Sequence, residues 1–226
     1  TITVDNGAGG RVRVSVDAFE PVSFSNKTNL VVNAGLTGAD LGDTIIVDYT
    51  NTPAALSTVT INGGTGAETV NVRSTPAGVA NTINGDAGND TINIGTAANS
   101  LDSILGTVAV NGGAGTDTLN INDQGDAGAS TYAITSTTVD RTGMAQVTYG
   151  TTESLVLNTS TAGDTIDVQS TLATTPVTVN AGAGGDTINV SSDAPLHVGN
   201  VDAIAGTLTI DAGSGANVLY VSDFSS

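Results

Sequence analysis

"NGDAGNDTINI", residues 84–94, joins two patterns. Gly85, Gly88 and Asn89 make a corner with little side-chain bulk, and Asp90 closes it. Thr91, Ile92, Asn93 and Ile94 then alternate polar and aliphatic, the period-two pattern of a strand with one buried face. The same corner and strand recur along the chain: "TINGGTGAETVNV" at 60–72, "AVNGGAGTDTLNI" at 109–121, "VLNTSTAGDTIDV" at 156–168, "TVNAGAGGDTINV" at 178–190 and "TIDAGSGANVLYV" at 209–221. A further copy, "VVNAGLTGADLGDTIIV" at 31–47, carries four extra residues in its corner.

Aligned on the acid, the copies place Asp43, Glu68, Asp90, Asp117, Asp164, Asp186 and finally Asn217 in one position. Successive spacings are 25, 22, 27, 47, 22 and 31 residues. The 47 reads as about two units, the skipped one being the strand-rich stretch 131–157, which has no glycine-rich corner. A longer repeat lies above this one: Glu68 to Asp164 and Asp90 to Asp186 are each 96 residues apart. It divides a single 1–226 domain into super-repeats at 11–125 and 131–226, the first with an additional coil.

A corner and a strand every 22–27 residues predicts an all-β fold, a parallel β-helix or β-solenoid in which equivalent residues stack about 4.8 Å apart. Composition agrees, since 29 Gly, 3% aromatics and no Trp leave Val, Ile and Leu to fill a thin, regular core. The one helical candidate is a single turn within 98–106. Asn62, Asn84, Asn111, Asn158 and Asn180, heading the corners, are expected to form a side-chain ladder. Neither end carries an obvious polar cap, so more repeats or identical subunits, end to end, are the expected neighbours.

The charge of −17, from 22 acids and 5 bases, argues against nucleic acid and anionic lipid as partners and favours cations. No apolar run is long enough for membrane insertion as a helix. The start at Thr1, within a strand-like "TITV", reads as a processed or excised piece.

"NGDAGNDTI", "GGTGAETVN" and "GGAGTDTLN" resemble the glycine- and aspartate-rich nonapeptide of haemolysin-type, or repeats-in-toxin, calcium-binding proteins. The resemblance implies Ca²⁺ held by Asp90, Asp117, Asp164 and Asp186, with Asp43 and Glu68 as further ligands, along one edge between stacked corners. In that family the nonapeptide runs in tandem, whereas here one copy falls in each coil. The competing reading needs no metal: acid or Asn beside Gly is favourable turn chemistry. The long units also resemble repeat regions of large bacterial surface and secreted proteins, adhesin-like or fibre-forming. That likeness implies an extracellular or cell-surface structural role, with cell-surface glycans among the possible partners.

Two other functions are weaker expectations. A polysaccharide-binding or polysaccharide-cleaving β-helix needs acids that break the repeat, yet the acids mostly obey it and the single histidine, His197, reads as a solvated loop residue. The chain is therefore expected not to be an enzyme. An ice-binding surface would use the stacked Thr69, Thr91, Thr118, Thr165 and Thr187, although Thr is also an ordinary strand former.

Overall fold

A computed structural model describes residues 1–17, 19–35 and 41–224. The four extra residues expected in the first acid corner overlap 36–40, which lie outside the described residues. Alternating aliphatic residues form strands throughout. The first are β1 (Ile2–Gly7), β2 (Arg11–Val16), β3 (Val22–Phe24), β4 (Asn29–Asn33), β5 (Thr44–Asp48), β6 (Thr58–Gly64) and β7 (Thr69–Val72). Next come β8 (Ala80–Gly88), β9 (Thr91–Ile94), β10 (Val108–Gly115), β11 (Thr118–Asn122), β12 (Thr131–Ile134), β13 (Thr138–Arg141) and β14 (Val147–Gly150). The last are β15 (Ser154–Asn158), β16 (Thr165–Val168), β17 (Val177–Asn180), β18 (Thr187–Val190), β19 (Leu208–Asp211) and β20 (Val218–Val221).

These strands form two ten-stranded sheets, so the protein is all-β and largely parallel. Sheet A has the order β19-β17-β15-β11-β9-β7-β5-β1-β2-β3, and sheet B the order β20-β18-β16-β12-β13-β14-β10-β8-β6-β4. From β4 to β12 successive strands alternate between sheets, so one circuit of chain lays one strand in each. Parallel pairing holds the circuits in register: Ile45 pairs with Val70, Val70 with Ile92, Ile92 with Leu119 and Leu119 with Leu155. These side chains are all buried and form one column of the core. A second column runs Val47, Val72, Ile94, Ile121 and Leu157.

Two three-stranded antiparallel meanders interrupt this winding. β1, β2 and β3 lie side by side in sheet A, and β12, β13 and β14 lie side by side in sheet B. The second accounts for the long spacing in the sequence. Between Asp117 and Asp164 the chain lays β11 in sheet A, the whole meander in sheet B, and β15 in sheet A. That is one and a half circuits, where the spacing alone suggests two. The odd half exchanges the sheets: corners before β7, β9 and β11 pass from B to A, and those before β16, β18 and β20 pass from A to B.

Residues 98–106 form no helix. Ile104 N–H bonds to Leu101 C=O at 2.9 Å in an isolated turn that sends both side chains into the core. Burial of two aliphatics outweighs the propensity of a segment too short to nucleate a helix.

Because every column residue packs between two circuits, truncation leaves a cavity that regular stacking resists closing. Ile92→Ala is expected to cost about 2–5 kcal/mol and Ile92→Val about 0.5–1.5 kcal/mol, measured as the shift in urea midpoint at constant m-value.

Candidate functional site

The acid corners are narrow because backbones approach closely there. Gly88 has φ +147°, and a Cβ on it would lie 1.8 Å from the carbonyl oxygen of Gly66 in the preceding circuit. Gly115 repeats the arrangement one circuit on, where a Cβ would meet the Gly88 carbonyl at 1.5 Å. Glycine is required by both the dihedral and the contact. With the corner so tight, the acid that ends it points inward rather than to solvent. Glu68, Asp90, Asp117, Asp164 and Asp186 are all at most 2% exposed.

The carboxylates of Asp90, Asp117, Asp164 and Asp186 each accept a backbone N–H from the neighbouring circuit. Asp90 Oδ1 takes the Glu68 N–H at 2.8 Å, and Asp117 Oδ1 takes the Asp90 N–H at 2.8 Å. Glu153 Oε2 takes the Asp117 N–H at 2.8 Å. A second column begins at Ser130, whose N–H goes to Asp164 Oδ1 at 2.8 Å. Asp186 Oδ1 then accepts from Asp164, and Asn217 Oδ1 from Asp186, each at 2.9 Å. Asp43 joins the first stack through its carbonyl, which accepts the Thr69 N–H at 2.8 Å, and its side chain is half-buried.

The structure thus brings Glu68, Asp90 and Asp117 together as the spacing predicted. It separates them from Asp164 and Asp186, because the half-circuit shift moves those corners to the opposite edge. The asparagine ladder divides in the same way. Asn33, Asn62, Asn84 and Asn111 bond in series on one side, and Asn122, Asn158 and Asn180 on the other, at 2.7–2.9 Å. Thr69, Thr91 and Thr118 stack in sheet A while Thr165 and Thr187 stack in sheet B, so the threonine array is also split. Glu153 was not legible as a member of the first column, since its corner lacks the glycine signature.

Each bonded carboxylate has a second oxygen. In Asp164 it accepts the Ser160 N–H at 3.1 Å and the Ser160 hydroxyl at 2.9 Å. The Oδ2 atoms of Asp90, Asp117 and Asp186 are buried without a hydrogen-bond partner. Each position that a Cβ on Gly85 or Gly112 would occupy is flanked by acceptors. At Gly85 they are Asp90 Oδ2 at 2.2 Å and the Gly112 carbonyl at 2.4 Å, and at Gly112 the Thr151 carbonyl at 2.1 Å and Asp117 Oδ2 at 2.6 Å. Burial pushes the Asp90, Asp117 and Asp186 carboxyls up from their ordinary value, against the lowering effect of the N–H each accepts and, for Asp90, of a side-chain hydrogen bond with Glu68.

These oxygens suit a hard cation in chemistry, since Ca²⁺ takes oxygen donors, but it takes about 6–8 of them. One corner offers a carboxylate oxygen and a carbonyl from the next circuit. Among the described residues, no three His, Cys, Asp or Glu side chains are grouped as a metal site. The corners match calcium in donor type and fall short of it in donor number.

No family model matches this chain, and no curated protein does.

One cluster departs from the repeat. Arg141, at the end of β13, has a side chain only 4% exposed and meets three aspartates. Its Nη1 donates to Asp102 at 2.6 Å, its Nη2 donates to Asp126, and its Nε lies 2.9 Å from Asp123. Asp123 also accepts the Tyr132 hydroxyl at 2.6 Å and the Leu101 N–H at 2.9 Å. The acids thereby fasten the meander to the loops beside it. His197 is a half-buried packing residue rather than a solvated one: it stacks on Tyr220 at 4.4 Å and its Nε2 lies 2.6 Å from Asn189 Oδ1.

Three outcomes follow from this chemistry. Asp90→Asn keeps an acceptor for the Glu68 N–H, as Asn217 does for Asp186, and is expected to be far milder than Asp90→Ala, which orphans a buried donor at about 1–3 kcal/mol. Paired thermal melts measure the difference. Arg141→Ala leaves a buried carboxylate uncompensated and should cost about 3–5 kcal/mol in chemical denaturation. For pH, carboxyls raised in the folded state bind more protons there than in the unfolded chain. The contribution of Asp90, Asp117 and Asp186 to stability therefore declines as pH rises from the ordinary value of 3.8 through their raised values. Metal-free melts should show a downward step over that window that shrinks in Asp90→Asn.

Proposed function

We propose that this chain is a structural segment of an extracellular or cell-surface assembly, wound as a parallel β-solenoid with coils of about 22–27 residues. The observation that carries the reading is the use of the acids. In each column a carboxylate or amide oxygen is committed to the backbone of the adjacent corner, so the most regular feature of the sequence serves to join circuits. Bending such a winding would stretch hydrogen bonds in two sheets and in both corner columns together. Stiffness is the property this repetition supplies.

The departures from the repeat support the same reading. Arg141 binds Asp102, Asp123 and Asp126 to one another, which holds a meander in place and commits these three carboxylates to the guanidinium. No helix among the described residues is long and apolar enough to cross a membrane. With a net charge of −17, the surface is suited to staying hydrated and unattached to nucleic acid.

Calcium along the acid columns is the second reading. It is favoured by Asp90 Oδ2, buried without a hydrogen-bond partner, and by the Gly112 carbonyl, both of which lie beside the position that a Cβ on Gly85 would take. The ion would supply the charge that burial denies these oxygens, and circuits would be clamped only where calcium is abundant.

Small-angle scattering tests the structural role: a rod-like profile is expected, and a compact isotropic one would end this proposal. Melting in EDTA and in millimolar calcium separates the two readings. Calcium at 100 times its Kd would add about 2.7 kcal/mol, whereas unchanged melting eliminates the metal and leaves the rod.

A further inference from the structure

The terminal strands of the two sheets are neighbours in sequence at each end of the winding. β19 and β20 are the last strands at one end, and β3 and β4 at the other. At the first end the core is open. Leu219 and Val221 continue the inward columns of Ile188 and Val190, yet they are 54% and 60% exposed. An edge of this kind recruits another strand.

The chain contains its own template for what that strand is. Strands β1 to β5 and β12 to β16 follow the same plan: a meander, one strand in the opposite sheet, then a strand that stacks on the first strand of the meander. Thus β14 corresponds to β3 and β15 to β4. Within the chain, β14 stacks parallel on β10, and β15 stacks parallel on β11. The strands flanking the corner of Asn217, β19 and β20, correspond to β10 and β11, which flank the corner of Asp117. The sheet exchange puts each pair on the correct side, since β3 and β19 both end sheet A and β4 and β20 both end sheet B. Direction agrees as well. β3 is antiparallel to β2, which is antiparallel to β1, so β3 runs parallel to β1 and to the strands stacked on it in sheet A.

We propose that a second copy of this chain docks head to tail, with its β3 and β4 laid on β19 and β20 in the register of the internal junction. The proposal rests on the solenoid reading above. Val108 pairs with Val147 and Val110 with Tyr149 internally, which places Leu208 against Val22 and Ile210 against Phe24 of the next copy. Leu119 pairs with Leu155 and Ile121 with Leu157, which places Leu219 against Leu30 and Val221 against Val32. Charge opposes the alternative of joining two open ends. Residues 191–224 carry Asp193, Asp202, Asp211 and Asp223 with no Lys or Arg, whereas the first thirty residues balance Arg11, Arg13 and Lys27 against Asp5, Asp17 and Glu20. A head-to-tail contact of this type repeats without closing and builds a filament.

The chain has no cysteine, which allows a clean crosslinking test. Asn120 pairs with Val156 internally, so Tyr220 should face Val31 of the next copy on the outer surface. Strands about 4.8 Å apart bring such a pair within the roughly 4.4–6.8 Å Cα range of a disulfide. Tyr220→Cys mixed with Val31→Cys should give disulfide-linked dimers under mild oxidation, and neither variant alone should match the mixture. In sedimentation, the unaltered chain should gain mass with concentration in steps of 22.2 kDa, and Leu219→Lys, at an exposed site, should stay monomeric with unchanged circular dichroism. Failure of the mixture to crosslink, or equal crosslinking by Tyr220→Cys alone, overturns the docking. A monomer with a rod-like scattering profile that never associates refutes the docking and spares the solenoid. A compact profile refutes the reading beneath it.

Discussion

The backbone N–H at each acid corner is the constraint on which the winding depends. Within the sheets, pairing supplies the amides of the inner strands with carbonyl partners, but at the corner the chain leaves the ladder and the N–H of Asp90 turns into a closed space. An orphaned donor there would cost about as much as several favourable contacts return. The Asp117 carboxylate, arriving from the next circuit, fills that need, and its own N–H passes the requirement on to Glu153. The acids are therefore spaced by circuits because the need recurs with every circuit. Asn217 performs the same service with a neutral amide, which identifies the acceptor oxygen, rather than the charge, as the feature common to every rung.

Glycine and the aliphatic columns are consequences of the same closeness. Corners can pass on N–H groups only if neighbouring backbones nearly touch, and Gly88 and Gly115 are the points of approach. Once the circuits are that close, Ile45, Val70, Ile92, Leu119 and Leu155 lie one above another, and a core forms almost without large aromatics. Tyr132, the largest fully buried side chain among the described residues, sits in the second of the two meanders that interrupt the stacking. There the meander brings extra strands into sheet B, and Arg141 with its three aspartates ties them to the neighbouring loops.

The acidity of the chain takes on a different meaning once its placement is known. A charge of −17 suggests a surface that gathers cations, yet five acids of the repeat lie inside the corners, at most 2% exposed. Their electrostatics act between circuits. Whatever neutralises the second oxygen of Asp90, Asp117 and Asp186, whether proton or metal, acts on the cohesion of the winding rather than on a distant ligand. The exposed acids are concentrated elsewhere, Asp202, Asp211 and Asp223 among them at the open end.

Much of this was legible in the residues alone. The recurrence of "NGDAGNDTINI" and its relatives determined the all-β class, the inward columns and the asparagine ladder, because a fixed period and strict alternation allow equivalent residues only one way to meet. It also placed Asp90 between Glu68 and Asp117. What only the tertiary structure decided is the edge on which each corner falls. A strand-rich stretch such as 131–157 can be read as a full circuit or as a folded-back meander, since local alternation is identical in both. Long-range pairing of β12 with β16 and of β14 with β10 selects the meander. Its three strands occupy one sheet, add half a circuit, and send Asp164 and Asp186 to the side opposite Asp90.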